Sequence, residues 1–400
     1  MKGWRECRLE EVADRIGIGP FGSNIKISTF VNSGIPVISG THLRGIRLED
    51  KEYNYITLEH ANKLLSANVY PGDIIFTHAG NIGQVAFIPK NAKYDRYIIS
   101  QRQFYLRCRK DALIPEYLTY YFKSNEGQYK LLANANQTGV PSLAQPVSYL
   151  KTIEILLPPL PEQRAIAGVL SSLDDKIDVL HRQNKTLEGM AEALWRKMFV
   201  EEAETGWPER KLEELCTITR GASPRPIIQY VINGTVPWIK IADATASGSY
   251  FIDKTKEFIV ERGVSKSVQV FPGDLILSNS ATCGFPYFVK LNGCIHDGWL
   301  LFRDFKGISK TFVFFFMKQL NDELNYIADG SVQNNLNTGL LKEYKLKVPS
   351  VNVIDKFDAF GNAVLSTIRE NGKQIRTLEI LRDMLLPKLM SGEIRVKVKE

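Results

Sequence analysis

The feature that most constrains the fold of this chain is an internal repeat, because a chain that repeats itself builds one architectural unit twice. Trp4 and the Arg-Leu-Glu-Glu run behind it return about 200 residues later as Trp207 and Lys-Leu-Glu-Glu. The Val-Tyr-Pro-Gly-Asp segment at 69–73 returns as Val-Phe-Pro-Gly-Asp at 270–274. We therefore expect two globular copies of one domain.

Each copy is followed by a long segment with the periodicity of a coiled coil. Between residues 162 and 199 the apolar positions alternate in steps of four and three, which keeps one stripe facing a partner helix. The pattern returns about 190 residues later, and the two helices are predicted to pair antiparallel. The first seam contains Ile166, Leu170, Leu173, Ile177, Leu180, Asn184, Leu187, Ala191, Leu194 and Met198, and the second contains Phe357, Gly361, Val364, Ile368, Asn371, Ile375, Leu378, Arg382, Leu385 and Leu389.

The length of these helices suits a spacer. About 38 residues at 1.5 Å each extend roughly 55 Å, so the globular copies are expected to stand well apart and to reach successive major grooves of DNA. Asn184 occupies a core position of the seam, where a buried amide lowers stability but fixes the register. The alternative is a polar residue that faces water at a frayed seam.

Within the globular copies, the pattern indicates a mixed α/β fold of the α+β class. The β-rich runs are short and separated by Gly, Pro and Asn, and helical patterns are sparse. The runs lie at 73–76, 84–88, 104–108 and 275–278, with helices at 115–124 and 310–320. We expect pseudo-symmetric globular domains at 1–158 and 201–349, coiled-coil helices at 159–200 and 350–390, and a tail at 391–400.

Composition excludes several classes of protein. With 44% apolar and 24% charged residues the chain is globular rather than disordered, and its net charge of +7 favours an anionic partner. Five scattered cysteines without a Cys-x-x-Cys pair indicate neither a disulfide framework nor a thiolate metal site, and favour a cytoplasmic location. The N-terminus lacks an apolar signal core and no apolar run is long enough for a bilayer, so we expect neither export nor a membrane partner.

The start of the first helical segment carries a family resemblance. It reads Leu-Pro-Pro-Leu-Pro-Glu-Gln-Arg-Ala-Ile-Ala at 157–167, followed by Leu-Asp-Asp-Lys-Ile at 173–177 and Gln-Asn-Lys-Thr-Leu-Glu at 183–188. This stretch resembles the central conserved region of type I restriction-modification specificity subunits. The segments at 19–23, 221–226 and 389–394 and both Pro-Gly-Asp turns are also similar to that family, so the resemblance covers essentially the full chain.

The resemblance implies a DNA specificity subunit with two target recognition domains, each reading one half of a split duplex target. It also implies two modification subunits and two ATP-dependent restriction subunits as partners. S-adenosylmethionine, ATP and Mg are then expected in those subunits, and no catalytic, cofactor-binding or metal residue is expected in this chain. The residues expected to form the coiled coil or dock partners are Glu162, Gln163, Arg164, Ile166, Leu170, Leu173, Ile177, Leu180, Asn184, Leu187, Leu194, Ile368, Ile375, Leu378 and Leu385.

The second copy departs from the family pattern, since Pro-Ser-Val-Asn-Val-Ile at 349–354 stands where the first copy has the Pro-Glu-Gln stretch. Whether the two partner-docking surfaces are equivalent is therefore open.

Candidate DNA contacts lie in polar loops at corresponding points of both copies. Hydroxyl, amide and guanidinium groups suit phosphate oxygens and base edges, and loops on a rigid scaffold commonly carry binding groups. The alternative for each is an ordinary solvated loop or strand edge. The candidates are Ser23, Thr77, His78, Asn81, Gln101, Arg102, Gln103, Arg220, Ser223, Arg225, Lys240, Ser278, Asn279, Ser280 and His296.

Other motifs favour structural interpretations. Residues 17–22 satisfy Gly-x-Gly-x-x-Gly, but no apolar strand is expected before them and no helix after them, as a dinucleotide site requires. The Pro-Gly-Asp segments are expected to be tight turns, and the five histidines show no metal-binding spacing. Two alternatives stay open: a stand-alone DNA-modifying enzyme, which would act on DNA without partners, and a coiled-coil scaffold without sequence-dependent DNA affinity.

Overall fold

In a computed structural model of the chain, the structure describes residues 3–22, 24–136, 139–280, 283–321 and 338–397. Its contacts divide the chain into two compact units. Unit 1 comprises Met1–Lys176 and Thr377–Glu400, and unit 2 comprises Ile177–Arg376. Each unit thus joins one globular copy to parts of both long helical segments. The five segment limits given above remain a prediction.

The first copy alternates short strands with short helices. Its strands are β1 Arg5–Arg8, β2 Ala13–Ile18, β3 Ile35–Ile38, β4 Asn54–Ile56, β5 Asn68–Val69, β6 Asp73–Thr77, β7 Val85–Phe87, β8 Tyr97–Ile99, β9 Gln103–Cys108, β10 Ala135–Asn136, β11 Ser142–Leu143 and β12 Glu154–Leu157. Its helices are α1 Leu9–Val12, α2 Leu58–Lys63, α3 Pro115–Lys123, α4 Asn125–Leu132 and α5 Pro146–Thr152, followed by the long α6 Leu160–Arg196.

The second copy follows the same plan. Its strands are β13 Glu209–Lys211, β14 Thr217–Arg220, β15 Val236–Ile239, β16 Phe251–Ile252, β17 Phe258–Ile259, β18 Val268–Val270, β19 Leu275–Ser278, β20 Pro286–Val289, β21 Gly293–Ile295, β22 Trp299–Arg303 and β23 Lys345–Lys347. Its described helices are α7 Leu212–Leu215, α8 Ile228–Val231, α9 Ile241–Ser247, α10 Lys310–Gln319 and α11 Thr338–Glu343, followed by α12 Val351–Met390.

The sheets of the two copies have the same strand order, which confirms the predicted repeat. The first copy has the sheets β2-β9-β6-β7 and β4-β3-β8-β5, and the second has β14-β22-β19-β20-β16 and β17-β15-β21-β18. In the second sheet of each, one pair is parallel, β3 with β8 and β15 with β21. The copies differ at β16, whose place in the first copy is taken by a single bridge between Arg47 and Phe87.

The two Pro-Gly-Asp segments are the tight turns that the sequence predicts. Gly72 and Gly273 have φ of 96° and 98°, a region that favours glycine. The backbone N–H of Asp73 donates to the carbonyl of Tyr70 at 3.0 Å, closing the turn, and Asp274 does the same with Phe271. Each turn therefore starts the central strand of its sheet in a fixed direction.

The aspartate of each turn also ties two strands together. Arg107 on β9 donates to both carboxylate oxygens of Asp73 at 2.8 and 2.6 Å. Arg303 on β22 pairs with Asp274 in the same way, at 3.2 and 2.5 Å. A bidentate pair of this kind combines charge with fixed geometry, and its presence in both copies shows that they share a scaffold.

Residues 17–22 differ from the expectation in one respect, since β2 is a strand that runs to Ile18 and so enters the motif. The glycine that matters is Gly19, where a Cβ atom would lie 2.1 Å from the carbonyl oxygen of Ser100. Its counterpart Gly221 would meet the carbonyl of His296 at 2.0 Å. Both glycines therefore allow two backbone segments to touch, which is a structural role.

One large apolar cluster of each unit joins its first sheet to the long helices. In unit 1, Ile166 and Leu170 of α6 are fully buried in the same apolar cluster as Leu389 and Met390 of α12. In unit 2, Trp195 of α6 joins the corresponding cluster with the buried face of α12. Burying an aliphatic side chain of this size contributes about 1.5–3 kcal/mol, so the helices are integral to each unit's core.

The helical segments run antiparallel within each unit, as predicted. In unit 1, Glu162 at the start of α6 contacts Arg395 beyond the end of α12, and Asp174 farther along α6 contacts Arg382. In unit 2, Asn184 pairs with Asn371, and Phe199 lies against Phe357 near the start of α12. As one residue number rises the other falls, which defines the direction.

The predicted seam is buried or half-buried at every position of both helices. Asn184 is half-buried, and its Oδ1 accepts from Asn371 Nδ2 at 2.8 Å. The two seam amides thus hydrogen-bond to each other, which reduces the free-energy cost of burying them. The alternative of a core amide that simply faces water is thereby set aside.

Candidate nucleic-acid interface

Four loops converge at one edge of each globular copy. In unit 1 they follow β2, β3, β6 and β8, and in unit 2 they follow the equivalent strands β14, β15, β19 and β21. The hydrogen bonds that hold them are equivalent as well. The N–H of His78 donates to the carbonyl of Arg102, and the N–H of Asn279 donates to that of Gly298, both at 2.9 Å.

In unit 1, the loop after β8 is the centre of this arrangement. The ring Nε2 of His78 lies 3.0 Å from the carbonyl oxygen of Gln101. The Gln101 amide donates to the carbonyls of Gly22 and Ile25 and so fastens the loop after β2. Partial burial lowers the pKa of His78, so its neutral form dominates at pH 7. Three loops are therefore linked through two predicted side chains.

One guanidinium group and one amide group of this edge are exposed to solvent. Arg102 and Asn81 are exposed, and within the described part of the chain the Arg102 guanidinium makes no hydrogen bond or ion pair. A guanidinium held on a rigid loop without an internal carboxylate is free to bind a phosphate or a guanine edge. Contact of Arg102 and Asn81 with DNA stays a prediction.

A pocket of about 410 Å³ opens among the same loops of unit 1. Ser39, Thr41 and Arg102 line it together with Asn54 of β4, and buried His42 forms one wall. The His42 ring stacks on Tyr53 with centroids 4.5 Å apart, and its Nδ1 accepts from the N–H of Ser39 at 3.0 Å. The wall is therefore rigid, whereas hydroxyl and amide groups face the opening.

In unit 2, Asp297 gathers the predicted residues of the loop after β14. Its Oδ1 accepts from Ser223 Oγ at 2.5 Å, and its Oδ2 lies 3.7 Å from Arg225. Arg220 Nε donates to the Asp297 carbonyl at 3.1 Å. The hydrogen bond from Ser223 holds the pKa of Asp297 below its usual value. Both guanidinium groups are exposed, Arg220 being held by the backbone carbonyl of Asp297 and Arg225 lying beside its carboxylate.

In unit 2, the positions equivalent to the pocket of unit 1 carry side chains that pair with one another. Lys240 pairs with Glu257 at 2.5 Å and lies over the ring of Trp238, 5.1 Å from its centroid. His296 accepts the N–H of Ile241 at 3.2 Å, and burial lowers its pKa. By strand register, Lys240 and Glu257 stand where unit 1 has Ser39 and Asn54. The two edges thus present different chemistry on the same frame.

Several predicted residues support the loops from inside. Thr77 and Gln103 are buried in unit 1, and Thr77 Oγ1 donates to Gln84 at 3.2 Å. Ser278 and Asn279 are fully buried in unit 2, and Ser278 Oγ accepts from the N–H of Phe285. Ser280 is half-buried beside Gly298, and Ser23 lies outside the described residues. Direct DNA contact by each of these residues stays a prediction.

Glu162, which the family resemblance associates with docking, is buried in unit 1. Trp4 Nε1 donates to Glu162 at 3.0 Å, and Arg395 makes a two-pronged ion pair with the carboxylate at 2.8 and 2.6 Å. The hydrogen bonds from Arg395 hold the pKa of Glu162 below its usual value. Glu162 therefore joins the N-terminal strand region, α6 and the tail behind α12.

Gln163 is also fully buried, and it fastens the start of α6 to the loop before α3. Its Oε1 accepts from the N–H of Ile114 at 2.9 Å, while its amide donates to the carbonyls of Ala112 and Pro158 at 3.0 and 2.8 Å. Its neighbour Arg164 is exposed. Of these three residues, Arg164 is the one whose side chain is accessible to a partner, and docking stays a prediction for all of them.

Sequence reasoning did not single out Asp297, His42 or Asn54 as members of these edges. A signal for the first was present, since Asp297 directly follows the predicted His296. A signal was also present for the first copy, because the predicted Lys240 is equivalent to Ser39 in the repeat. His42 and Asn54 are brought to the edge by strand pairing, for which the sequence gives no local signal.

Within the described residues, no group of three or more His, Cys, Asp or Glu side chains is arranged to hold a metal ion. Among these residues, no helix combines the length and the hydropathy needed to cross a membrane.

The family model of the type I restriction modification DNA specificity domain matches residues 1–189 and 204–371. The chain belongs to this family. Each match covers one globular copy and the first part of the long helix that follows it, so the specificity domain occurs twice, as the repeat predicts. The prediction of a specificity subunit with two target recognition domains is confirmed, and the alternatives of a stand-alone enzyme or a scaffold gain no support.

Relatives within the specificity family match along nearly the whole chain. The type I restriction enzyme MjaIX specificity subunit of Methanocaldococcus jannaschii is 26% identical over 99% of this chain and 94% of its own length. The HindI specificity subunit of Haemophilus influenzae is 23% identical, covering 81% and 86%. The crystal structure of the type I restriction-modification system S subunit from M. genitalium has the same fold, with a TM-score of 0.64, 17% identity and 96% coverage of each chain.

Proposed function

We propose that each unit reads one half of a split duplex DNA target through its converging loops, and that the paired helices fix the gap between the halves. The observation that carries the proposal is that equivalent backbone positions hold different side chains. At the edge, Arg102 of the first copy stands where the second has Gly298, and Ser39 stands where the second has Lys240, on equivalent backbone positions. Direct readout depends on donor and acceptor patterns of side chains, so two such edges read different sequences.

The proposed partners are two modification subunits that bring S-adenosylmethionine and two restriction subunits that use ATP and Mg. In this assembly the present chain supplies recognition, and catalysis belongs to the partners. Support comes from the family and from the placement of its residues: Asp297 is committed to Ser223 and Arg225, and the Glu162 carboxylate is committed to Arg395. Exposed Arg164 is a candidate contact for a modification subunit.

The test is to map methylated adenines genome-wide in cells with and without this chain, with the modification subunit present in both. We expect methylation that depends on the chain at a target of two short defined halves separated by an undefined gap of fixed length. One continuous target would contradict the division of labour between the units. Equal methylation without the chain would contradict the recognition role.

The role of the helices has its own test. One heptad is inserted between Lys176 and Ile177 and another between Arg376 and Thr377, at the borders of the compact units. A heptad preserves the phase of the seam and adds about 10 Å to the helix. We expect both half-targets to stay the same while the gap lengthens. Changed half-targets would show that the helices take part in base recognition.

A further inference from the structure

A second polar pocket lies in unit 2, between its five-stranded sheet and α12. Its volume is about 430 Å³, within the range of small-molecule sites. Gly273, just before β19, and Lys290, just after β20, mark one end of the sheet. The DNA-reading loops follow the other end of β19, one strand length or roughly 13 Å away. The pocket is therefore separate from the proposed DNA interface of this unit.

Three cations line this pocket: Lys290, Lys310 and Arg369. Within the described part of the chain, no carboxylate forms an ion pair with Lys290, Lys310 or Arg369. Lys310 Nζ donates instead to the carbonyl of Gly273. The pocket thus brings three cations together beside one carboxyl, that of Asp358, with which none of them forms an ion pair in the described part of the chain.

Lys290 lies over two aromatic ring faces, which attract a cation, and is repelled by its cationic neighbours. Its ammonium lies 5.0 Å from the ring centroid of Phe251 and 5.9 Å from that of Phe288. Burial lowers its pKa, and repulsion from Arg369 and Lys310 lowers it further. An anion bound among these groups removes the repulsion, because opposite charges at short range favour the charged form.

Neutral groups beside the cations are already oriented. Thr311 Oγ1 donates to Asn362 Oδ1 at 2.6 Å, which leaves the Asn362 NH₂ group as a donor. Ser309 Oγ donates to Asp358 Oδ1 at 2.7 Å, and burial raises the pKa of that carboxyl. One oxygen of the Asp358 carboxyl is therefore engaged by Ser309 rather than by a cation of the pocket.

The repeat provides an internal comparison. On α6 the positions equivalent to Leu365 and Ser366 carry Asp174 and Asp175. In unit 1 these carboxylates are occupied, since Asp174 accepts from Tyr120 and Arg382, and Asp175 pairs with Arg47. The basic recess is a property of the second copy and is not required by the shared scaffold.

We propose that this pocket, formed by Lys290, Lys310, Arg369 and Asn362, binds a phosphate group. Phosphate presents several acceptor oxygens and a high charge density, which suits converging ammonium, guanidinium and amide donors. The phosphate belongs to a small phosphorylated molecule, because the DNA-reading loops of unit 2 lie at the opposite end of the same strands.

The experiment measures the melting temperature of the full-length chain, and the heat of binding, on addition of inorganic phosphate against sodium chloride of equal ionic strength. We expect a phosphate-specific rise in melting temperature. Lys310→Met and Arg369→Met each weaken phosphate binding by roughly tenfold or more, the usual loss for a charge-assisted contact. Lys290→Met is expected to reduce the phosphate-specific rise in melting temperature as the other two variants do.

The control is Lys356→Met, which removes an exposed lysine from the same helix outside the pocket. It leaves phosphate binding unchanged, and all variants keep the circular dichroism of the parent. Adenosine monophosphate and a short DNA duplex without the target are added separately to distinguish the source of the phosphate. Variant-sensitive binding of the nucleotide supports a small ligand, whereas variant-sensitive binding of the duplex alone contradicts that assignment. Equal effects of phosphate and chloride, or full binding by the variants, overturn the site.

Discussion

The two copies share the contacts that hold their sheets and loops together, and they differ in the side chains at their loop edges. In both, the aspartate after the Pro-Gly turn pairs with an arginine of the neighbouring strand, and a glycine lets the loops touch. At the edge itself, unit 1 presents Arg102 beside an open pocket, while unit 2 presents Arg220 and Arg225 held by Asp297. The chain has therefore kept one scaffold and varied the side chains that it displays.

On the proposed function, this difference lets each unit read its own half of the target. Hydrogen bonds between backbone groups set the positions of the loops, so a change of side chain alters what is displayed without altering the frame. Specificity then depends on the donors and acceptors at a few equivalent positions.

The largest expected effect is the loss of stability that follows removal of the shared aspartate–arginine pair. Asp73→Ala leaves Arg107 without its carboxylate and is expected to destabilise unit 1 by about 3 kcal/mol. Asp274→Ala has a smaller effect on unit 2, because the Asp274 side chain is 15% exposed and that of Asp73 is 2% exposed. Hydrogen exchange followed by mass spectrometry assigns each effect to its unit. Exposed Asp111→Ala is the control, and equal losses in both units would refute a unit-specific anchor.

The next effect concerns recognition by unit 1 alone. Arg102→Ala is expected to weaken binding of the assembled complex to its target by about 1–3 kcal/mol and to relax discrimination in one half of the target. Arg109→Ala removes an exposed arginine at the opposite end of β9 and serves as the control. Equilibrium binding to duplexes with single base changes in each half measures both. Relaxed discrimination in both halves would break the assignment of one edge to one half.

A smaller effect is expected in the helix seam of unit 2. Asn371→Ala removes the donor to Asn184 and is expected to cost about 1–2 kcal/mol, the penalty for a half-buried amide that loses its partner. The double change Asn184→Leu with Asn371→Leu restores stability, because both polar groups are gone. Urea unfolding compares these chains with Asn352→Ala, an exposed position of the same helix. An unchanged midpoint for Asn371→Ala would show that the pair contributes nothing.

The smallest effect is a pH dependence of stability. Burial lowers the pKa of His78 and of His296, so the unfolded chain takes up protons before the folded chain as the pH falls. The free energy of unfolding is therefore expected to decrease as the pH is lowered from 7 through the usual histidine range. Urea unfolding at several pH values should show that His296→Gln flattens this dependence, whereas exposed His181→Gln does not. If His296→Gln leaves the slope of unfolding free energy against pH unchanged, His296 does not contribute to this dependence and the prediction is wrong.

Much of the fold follows from the sequence because it depends on repeated local patterns. The alternation of seam residues such as Leu170 and Ile368 predicts two helices that must bury one stripe, and the antiparallel pairing follows. The Pro-Gly-Asp turns predict where β6 and β19 begin, because proline and glycine fix the backbone there.

The site is less accessible to prediction because it depends on loops that meet only in the folded chain. Glu162 and Gln163 are polar and suggest an exposed surface, yet hydrogen bonds to Arg395 and to Ile114 allow them to be buried. Asp297 gathers Arg225 and Ser223 across a separation of more than 70 residues. No spacing rule in the sequence brings such groups together.

The central claim is that one scaffold carries two independent reading edges. The most direct test of it gives unit 1 the side chains of unit 2 at two equivalent positions. Arg102 and His78 are replaced together by Gly and Asn, the residues at the equivalent positions of unit 2, and the methylated targets of the assembled complex are then mapped. A change confined to one half of the target, with the other half and the gap unchanged, is the result expected. Changes in both halves, or in the gap, would contradict the account.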